Sequence, residues 1–166
     1  KIGDWTVLLL DKKESSKLSS RGVAMVKGTI NGKNFQTALE PDGKGSHWFM
    51  VDEIMRKELG VKAGDTIELN IEQTNEWPEP TVPKELKAAL STSTQLAQST
   101  WADITPMARW EWTRWISGTK NEVTRKRRVE VALSKLKAGK RRPCCFNASE
   151  CTVQYVSNKG ILLDPT

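Results

Sequence analysis

The sequence predicts an α+β protein: a small β-barrel followed by a basic helical region. Three observations lead there. Residues 1–76 carry short β-forming runs punctuated by glycine turns, residues 77–83 hold three prolines, and residues 84–142 change to a helical period with a strong positive charge. The 166-residue length suits one large domain or two small ones, and 37% apolar with 28% charged residues is the composition of a folded chain. The expected organisation is a barrel over 1–76, a Pro-rich linker over 77–83, a helical module over 84–142 and a cysteine-containing tail over 143–166.

Trp5 to Leu10 is the first strand-sized apolar run, and Val23 to Ile30 is rich in β-formers. Asn31-Gly32 follows, a strong hairpin signal because both residues tolerate positive φ. Lys33 to Leu39 alternates apolar and polar side chains as a return strand should, and His47 to Val51 reads as another strand. Over Asp52 to Leu59 the period changes to that of a short helix, with Asp52 as N-cap and Gly60 as its stop. Thr66 to Ile71 alternates again and reads as a final strand. An internal repeat links the halves: Leu10-Asp11 with Leu18 matches Val51-Asp52 with Leu59 at an offset of 41. Two such strand–connection–strand units can pair about a pseudo-twofold axis and close one barrel, which removes exposed strand edges.

Pro83 can serve as N1 of a short helix over Lys84 to Leu90, and a second short helix is expected over Gln95 to Ala102. Thr105-Pro106 reads as N-cap and N1 of the next, in which Ala108, Trp112, Trp115, Ile116 and Thr119 share a face and Trp110 lies off it. The last helix, about Asn121 to Ala138, has Val129, Leu133 and Leu136 on one side and Gly139 as its stop. Beyond Pro143 the pattern dissolves, although Ile161-Leu162-Leu163 can dock as an extended segment.

The net charge of +6 is unevenly spread. Residues 1–100 hold 13 Lys+Arg against 14 Asp+Glu, whereas residues 101–142 hold 12 against 4. Arg125, Lys126, Arg127 and Arg128 cluster with Lys120, and Lys140, Arg141 and Arg142 add a second patch. Residues 125 and 128 share one side of a helix while 127 lies elsewhere, so the run is not one stripe. Phosphate contact, through nucleic acid or another polyanion, is one reading; a solvated helix is the other. Among the aromatics, Trp112 and Trp115 read as core, whereas Trp48 and Trp110 are the candidates for a surface or groove.

Cys144, Cys145 and Cys151 form no secreted disulfide framework. Three cysteines without a nearby histidine also fall short of a zinc ligand set. Reduced thiols, or a redox-labile pair beside Lys140 to Arg142, are the alternatives. His47 is the single histidine, and its neighbour Ser46 points to the opposite face of a strand, so the two make no nucleophile–base pair. No catalytic constellation, metal site or cofactor motif emerges. No apolar run reaches the roughly 20 residues of a membrane helix, and with no leader pattern the expected address is the cytoplasm.

Two stretches of the barrel half, Val26 to Phe35 (VKGTINGKNF) and Arg56 to Asp65 (RKELGVKAGD), resemble the small barrel domain DUF1905. Downstream, Pro83 to Leu86, Arg114 to Ile116, Lys120 and Thr124 to Arg128 are similar to the helical module of the YdeI/OmpD-associated, bacteriocin-protection proteins. The resemblance implies a bacterial family of unknown function and a barrel of the double-split class. That class includes AbrB-like DNA-binding domains, in which each chain of a dimer supplies half the barrel. Here both halves lie in one chain, so a DNA-binding surface does not follow. The resemblance brings no activity, catalytic residue or cofactor. The expectation is a non-enzymatic binding module in stress tolerance that engages an anionic partner through the basic helix. The alternatives are a protein-interaction scaffold built on the Trp-rich helices, and a small-molecule site or enzyme with a pocket between barrel and helices.

Overall fold

Asn31 and Gly32 both adopt positive φ, 46° and 78°, and reverse the chain between two long strands, as the Asn-Gly pair predicts. The computed structural model describes residues 1–143, 154–157 and 159–165, and its chain forms two units. One comprises Lys1–Glu76 with Lys159–Thr166, the other Trp77–Asn158.

The first unit holds strands β1 (Val7–Leu9), β2 (Ala24–Ile30), β3 (Lys33–Pro41), β4 (His47–Met50) and β5 (Leu69–Gln73). A single helical turn, α1 (Lys12–Ser15), and a short helix, α2 (Glu53–Leu59), connect them. The strands make one sheet in the order β1-β4-β3-β2-β5, every neighbouring pair antiparallel. The internal repeat is visible as β1-α1-β2 and β4-α2-β5. Asp11 caps α1 by accepting from the Lys13 amide at 2.8 Å, and Asp52 caps α2 by accepting from the Met55 amide at 2.7 Å. Equivalent strands pair with each other, β1 with β4 and β2 with β5. Gly60 ends α2 in the left-handed region.

The inner face of the sheet buries Val26, Ile30, Leu39, Phe49 and Val51, with Leu8, Leu18, Leu69 and Ile71 packed around them. Gly28 lies in β2 opposite Phe35 and Ile71, and a Cβ there would sit 2.0 Å from the Asn70 carbonyl oxygen. Only glycine lets β5 approach β2 so closely. Leu162 is buried and its amide donates to the Asp42 carbonyl at 3.0 Å, so the Ile161–Leu163 segment docks on this unit.

Among the described residues the sheet is not closed, β1 and β5 being its two edges, so the barrel is a loose one. One expectation for this unit needs correction. The final strand begins at Leu69 rather than Thr66; before it, Glu68 reaches across to Asn31, its carbonyl accepting from the Asn31 amide and its amide donating to the Asn31 Oδ1, each at 2.9 Å.

The second unit is helical: α3 (Lys84–Ser91), α4 (Gln95–Asp103), α5 (Pro106–Ser117) and α6 (Glu122–Lys137). Thr94, Thr105 and Asn121 cap α4, α5 and α6 through their side chains, whereas Pro83 stands at the N-cap of α3 rather than at N1. The core joins Leu86 and Leu90 of α3, Ala97 of α4, Ala108, Trp112 and Ile116 of α5, and Val129, Ala132 and Leu136 of α6. Trp112 is fully buried at its centre, with Trp115 edge-on to it at 6.0 Å. Among the described residues, no helix is long and apolar enough to cross a membrane.

Candidate functional site

The basic cluster of α6 separates into an inner and an outer face. Residues 125 and 128 lie on the side of the helix that packs inward, as their spacing requires. Arg128 is only 9% exposed; its Nη1 donates to the Trp115 carbonyl at 2.5 Å, and the guanidinium stacks on the Trp115 ring at 5.5 Å. Burial pushes its pKa below the ordinary arginine value. Arg125 donates Nη2 to the Thr119 carbonyl at 3.2 Å and Nη1 to Glu85 at 3.3 Å. The Glu85 carboxyl is held below its usual pKa first by a backbone hydrogen bond at the start of α3, then by Arg125. Both arginines thus satisfy carbonyls at and beyond the C-terminal end of α5, where the helix dipole favours a cation.

Arg141 and Arg142 are exposed but paired. Arg141 pairs with Asp103 at 2.5 Å and its carbonyl accepts the Trp112 indole N–H at 3.2 Å. Arg142 pairs with Glu111 at 3.1 Å and reaches the Met107 Sδ at 3.8 Å. Burial raises the Glu111 pKa, with Arg142 and then Arg114 opposing the shift. The outer face of α6 keeps Lys126 and Arg127 exposed, with Lys137 about three turns further along the same side. Lys120 and Lys140 are exposed in the segments flanking the helix.

Trp110 is half-buried, edge-on to Trp77 at 5.3 Å and stacked on Arg114 at 5.9 Å. Trp48 is 2% exposed and stacked on Trp5 at 6.1 Å, so it is not the surface aromatic that the sequence suggested. Its indole N–H meets no acceptor among the described residues. Cys144, Cys145 and Cys151 lie outside the described residues.

His47 and Ser15 form a buried pair that sequence reasoning missed. The Gly22 carbonyl can only accept, so His47 donates Nε2–H to it at 2.8 Å. Nδ1 shares a hydrogen bond with the Ser15 hydroxyl at 2.7 Å. Both residues are almost fully buried, so the pair ties α1 and the Gly22 turn to β4 and offers no face to a substrate. Ser46 points the other way and donates to the Leu10 carbonyl at 2.7 Å. Arg109 was missed as well: it grips Glu79 through Nε at 2.8 Å and Nη2 at 2.5 Å, while Nη1 caps the end of α4 at the Ile104 carbonyl. Nothing in the local pattern marks Arg109, because its partner lies 30 residues upstream.

Each unit also carries a cleft of its own. In the helical unit, Val82, Lys87, Leu90, Gln98 and Trp101 line a shallow cleft of about 690 Å³. In the sheet unit, a cleft of about 800 Å³ runs between the edges β1 and β5.

These features define a two-unit α+β protein, a curled antiparallel sheet joined to a basic helical unit. Residues 1–71 match the family model described as domain of unknown function DUF1905, and residues 79–139 match the model described as bacteriocin-protection, YdeI or OmpD-associated. The two matches follow one another along the chain in that order. No curated protein and no solved structure matches it.

Proposed function

We propose that this chain is a binding module rather than an enzyme, and that it engages an anionic partner through the outer face of α6 and the turn after it. The observation that carries this reading is the charge left outside once the inner arginines are satisfied. Residues 77–158 hold 14 Lys+Arg against 7 Asp+Glu. Lys126, Arg127, Lys137 and Lys140 remain exposed and make no ion pair among the described residues. A role in stress tolerance accords with the bacteriocin-protection description of the family matched by residues 79–139.

The test is fluorescence anisotropy of the purified chain against labelled duplex and single-stranded DNA and RNA across salt concentrations. Four cations on phosphates give a slope of log K against log salt of roughly −3 to −4. Reversing Lys126, Arg127 and Lys137 together abolishes that binding while leaving the helical content unchanged. Absence of binding at low salt, or binding indifferent to the triple reversal, refutes the reading.

A further inference from the structure

The cleft of the helical unit has the build of a small-molecule site. Lys87, Leu90 and Ser91 stand at i, i+3 and i+4 of α3, so they share one side of that helix, and Gln98 and Trp101 share one side of α4 in the same way. Val82, just before α3, completes the wall. The volume of about 690 Å³ falls in the range of ligand pockets, roughly 300–1,000 Å³. Leu90 is part of the buried core, and Val82 and Trp101 pack against that core. The apolar wall is therefore held from behind and exists before any ligand arrives.

The polar groups around this wall favour a negative charge. Gln98 donates Nε2 to the Leu90 carbonyl at 3.0 Å and reaches the Ser93 and Ser91 carbonyls at 3.3 and 3.4 Å. These carbonyls belong to the end of α3, the pole at which a helix otherwise repels an anion. The Ser91 hydroxyl is also committed, donating to the Ala88 carbonyl at 2.7 Å. Among the described residues no carboxylate lines the cleft, and Lys87 is its one charged group. Lys87 is exposed and makes no hydrogen bond or ion pair among the described residues, and neither does the Trp101 indole N–H. The cleft thus offers a cation and a second donor beside an apolar surface.

We propose that this cleft binds a small aromatic carboxylate. The ring lies against Val82, Leu90 and Trp101, and the carboxylate meets the Lys87 ammonium and the Trp101 indole N–H. A bare inorganic anion is disfavoured, because most of the wall cannot solvate it. A cationic ligand is disfavoured by Lys87 itself. Lys126, Arg127, Lys137 and Lys140 take no part in the cleft, so this site stands or falls separately from the outer face of α6.

The experiment titrates the full chain, ¹⁵N-labelled, with indole-3-acetate and with its uncharged counterpart indole-3-acetamide. Chemical shifts are read at the Lys87, Leu90 and Gln98 amides and at the Trp101 indole N–H. Indole-3-acetate gives saturating shifts at these positions with a dissociation constant of about 1 mM or tighter. Lys87→Gln weakens its binding about three- to fivefold, the worth of one exposed ion pair, and leaves the amide's affinity unchanged. Reversing Lys126, Arg127 and Lys137 together leaves both unchanged. Ser91→Trp fills the cleft and abolishes both; if that variant does not fold, Lys87→Gln, which removes no protein contact, decides alone. No shifts at these positions, equal affinity for the acid and the amide, or binding indifferent to Lys87→Gln overturns the proposal. So do shifts that follow protein concentration and accompany a dimer in light scattering, because the occupant is then a second copy.

Discussion

Replacing Arg128 by alanine tests whether the basic cluster of α6 is partly structural. The substitution removes a hydrogen bond from a charged donor to the Trp115 carbonyl and the stacking of the guanidinium on the Trp115 ring. A charged hydrogen bond contributes about 1.5–3 kcal/mol and a cation–π contact about 1 kcal/mol. Relief of the buried charge, the same desolvation that lowers the Arg128 pKa, offsets part of this. The net loss expected is about 2–3 kcal/mol. Urea unfolding followed by tryptophan fluorescence reads it as a midpoint lowered by roughly 2 M, for a slope near 1 kcal/mol/M in a unit of this size. Lys126→Ala and Arg127→Ala, on the outer face, shift the midpoint by less than about 0.5 M. Arg128→Met keeps most of the apolar stem and separates packing from hydrogen bonding. A midpoint for Arg128→Ala equal to that of Lys126→Ala would refute the assignment of Arg128 to the interior.

Gly28→Ala places a Cβ 2.0 Å from the Asn70 carbonyl oxygen, so β5 must move off β2; a loss of at least about 2 kcal/mol is expected in the sheet unit, with Gly32→Ala a milder control because its Cβ meets open space. Ser15→Ala leaves Nδ1 of buried His47 without its hydrogen-bond partner and costs about 1–3 kcal/mol by thermal or urea unfolding; an unchanged midpoint would show that the pair is not structural. Glu111 has a raised pKa in the folded state, so the folded chain holds that proton more tightly than the unfolded one. Its stabilising contribution is full below pH 4.5 and lost as pH rises through the folded value. Glu111→Gln therefore gains relative to the parent between acid and neutral pH, and parallel stability profiles of the two proteins would contradict this.

The local signals of the sequence translated directly into structure. Asn31-Gly32, Asp52, Gly60 and Thr105-Pro106 mark the turn, caps and stop they predict, because each acts through its own backbone or the next few residues. The apolar period placed Ala108, Trp112 and Ile116 inside, and helical geometry already separated residues 125 and 128 from 127. The α+β class and the two family resemblances were legible for the same reason: they rest on patterns short enough to be read along the chain.

What only the tertiary structure decided are the partnerships between distant residues. Ser15 meets His47 from 32 positions away, Arg109 meets Glu79 from 30, and Arg128 finds the Trp115 carbonyl from 13. Whether a cation in the 125–128 run faces solvent depends on which carbonyls the neighbouring helix leaves unsatisfied, and no periodicity records that. The barrel expectation shows the same limit. The repeat was visible in the sequence, but the strand order was not: it depends on pairing between distant segments, which among the described residues leaves β1 and β5 as edges. Sequence determines local geometry through short-range sterics and capping; burial, ion pairing and sheet closure are settled only when the whole chain competes for the same interior.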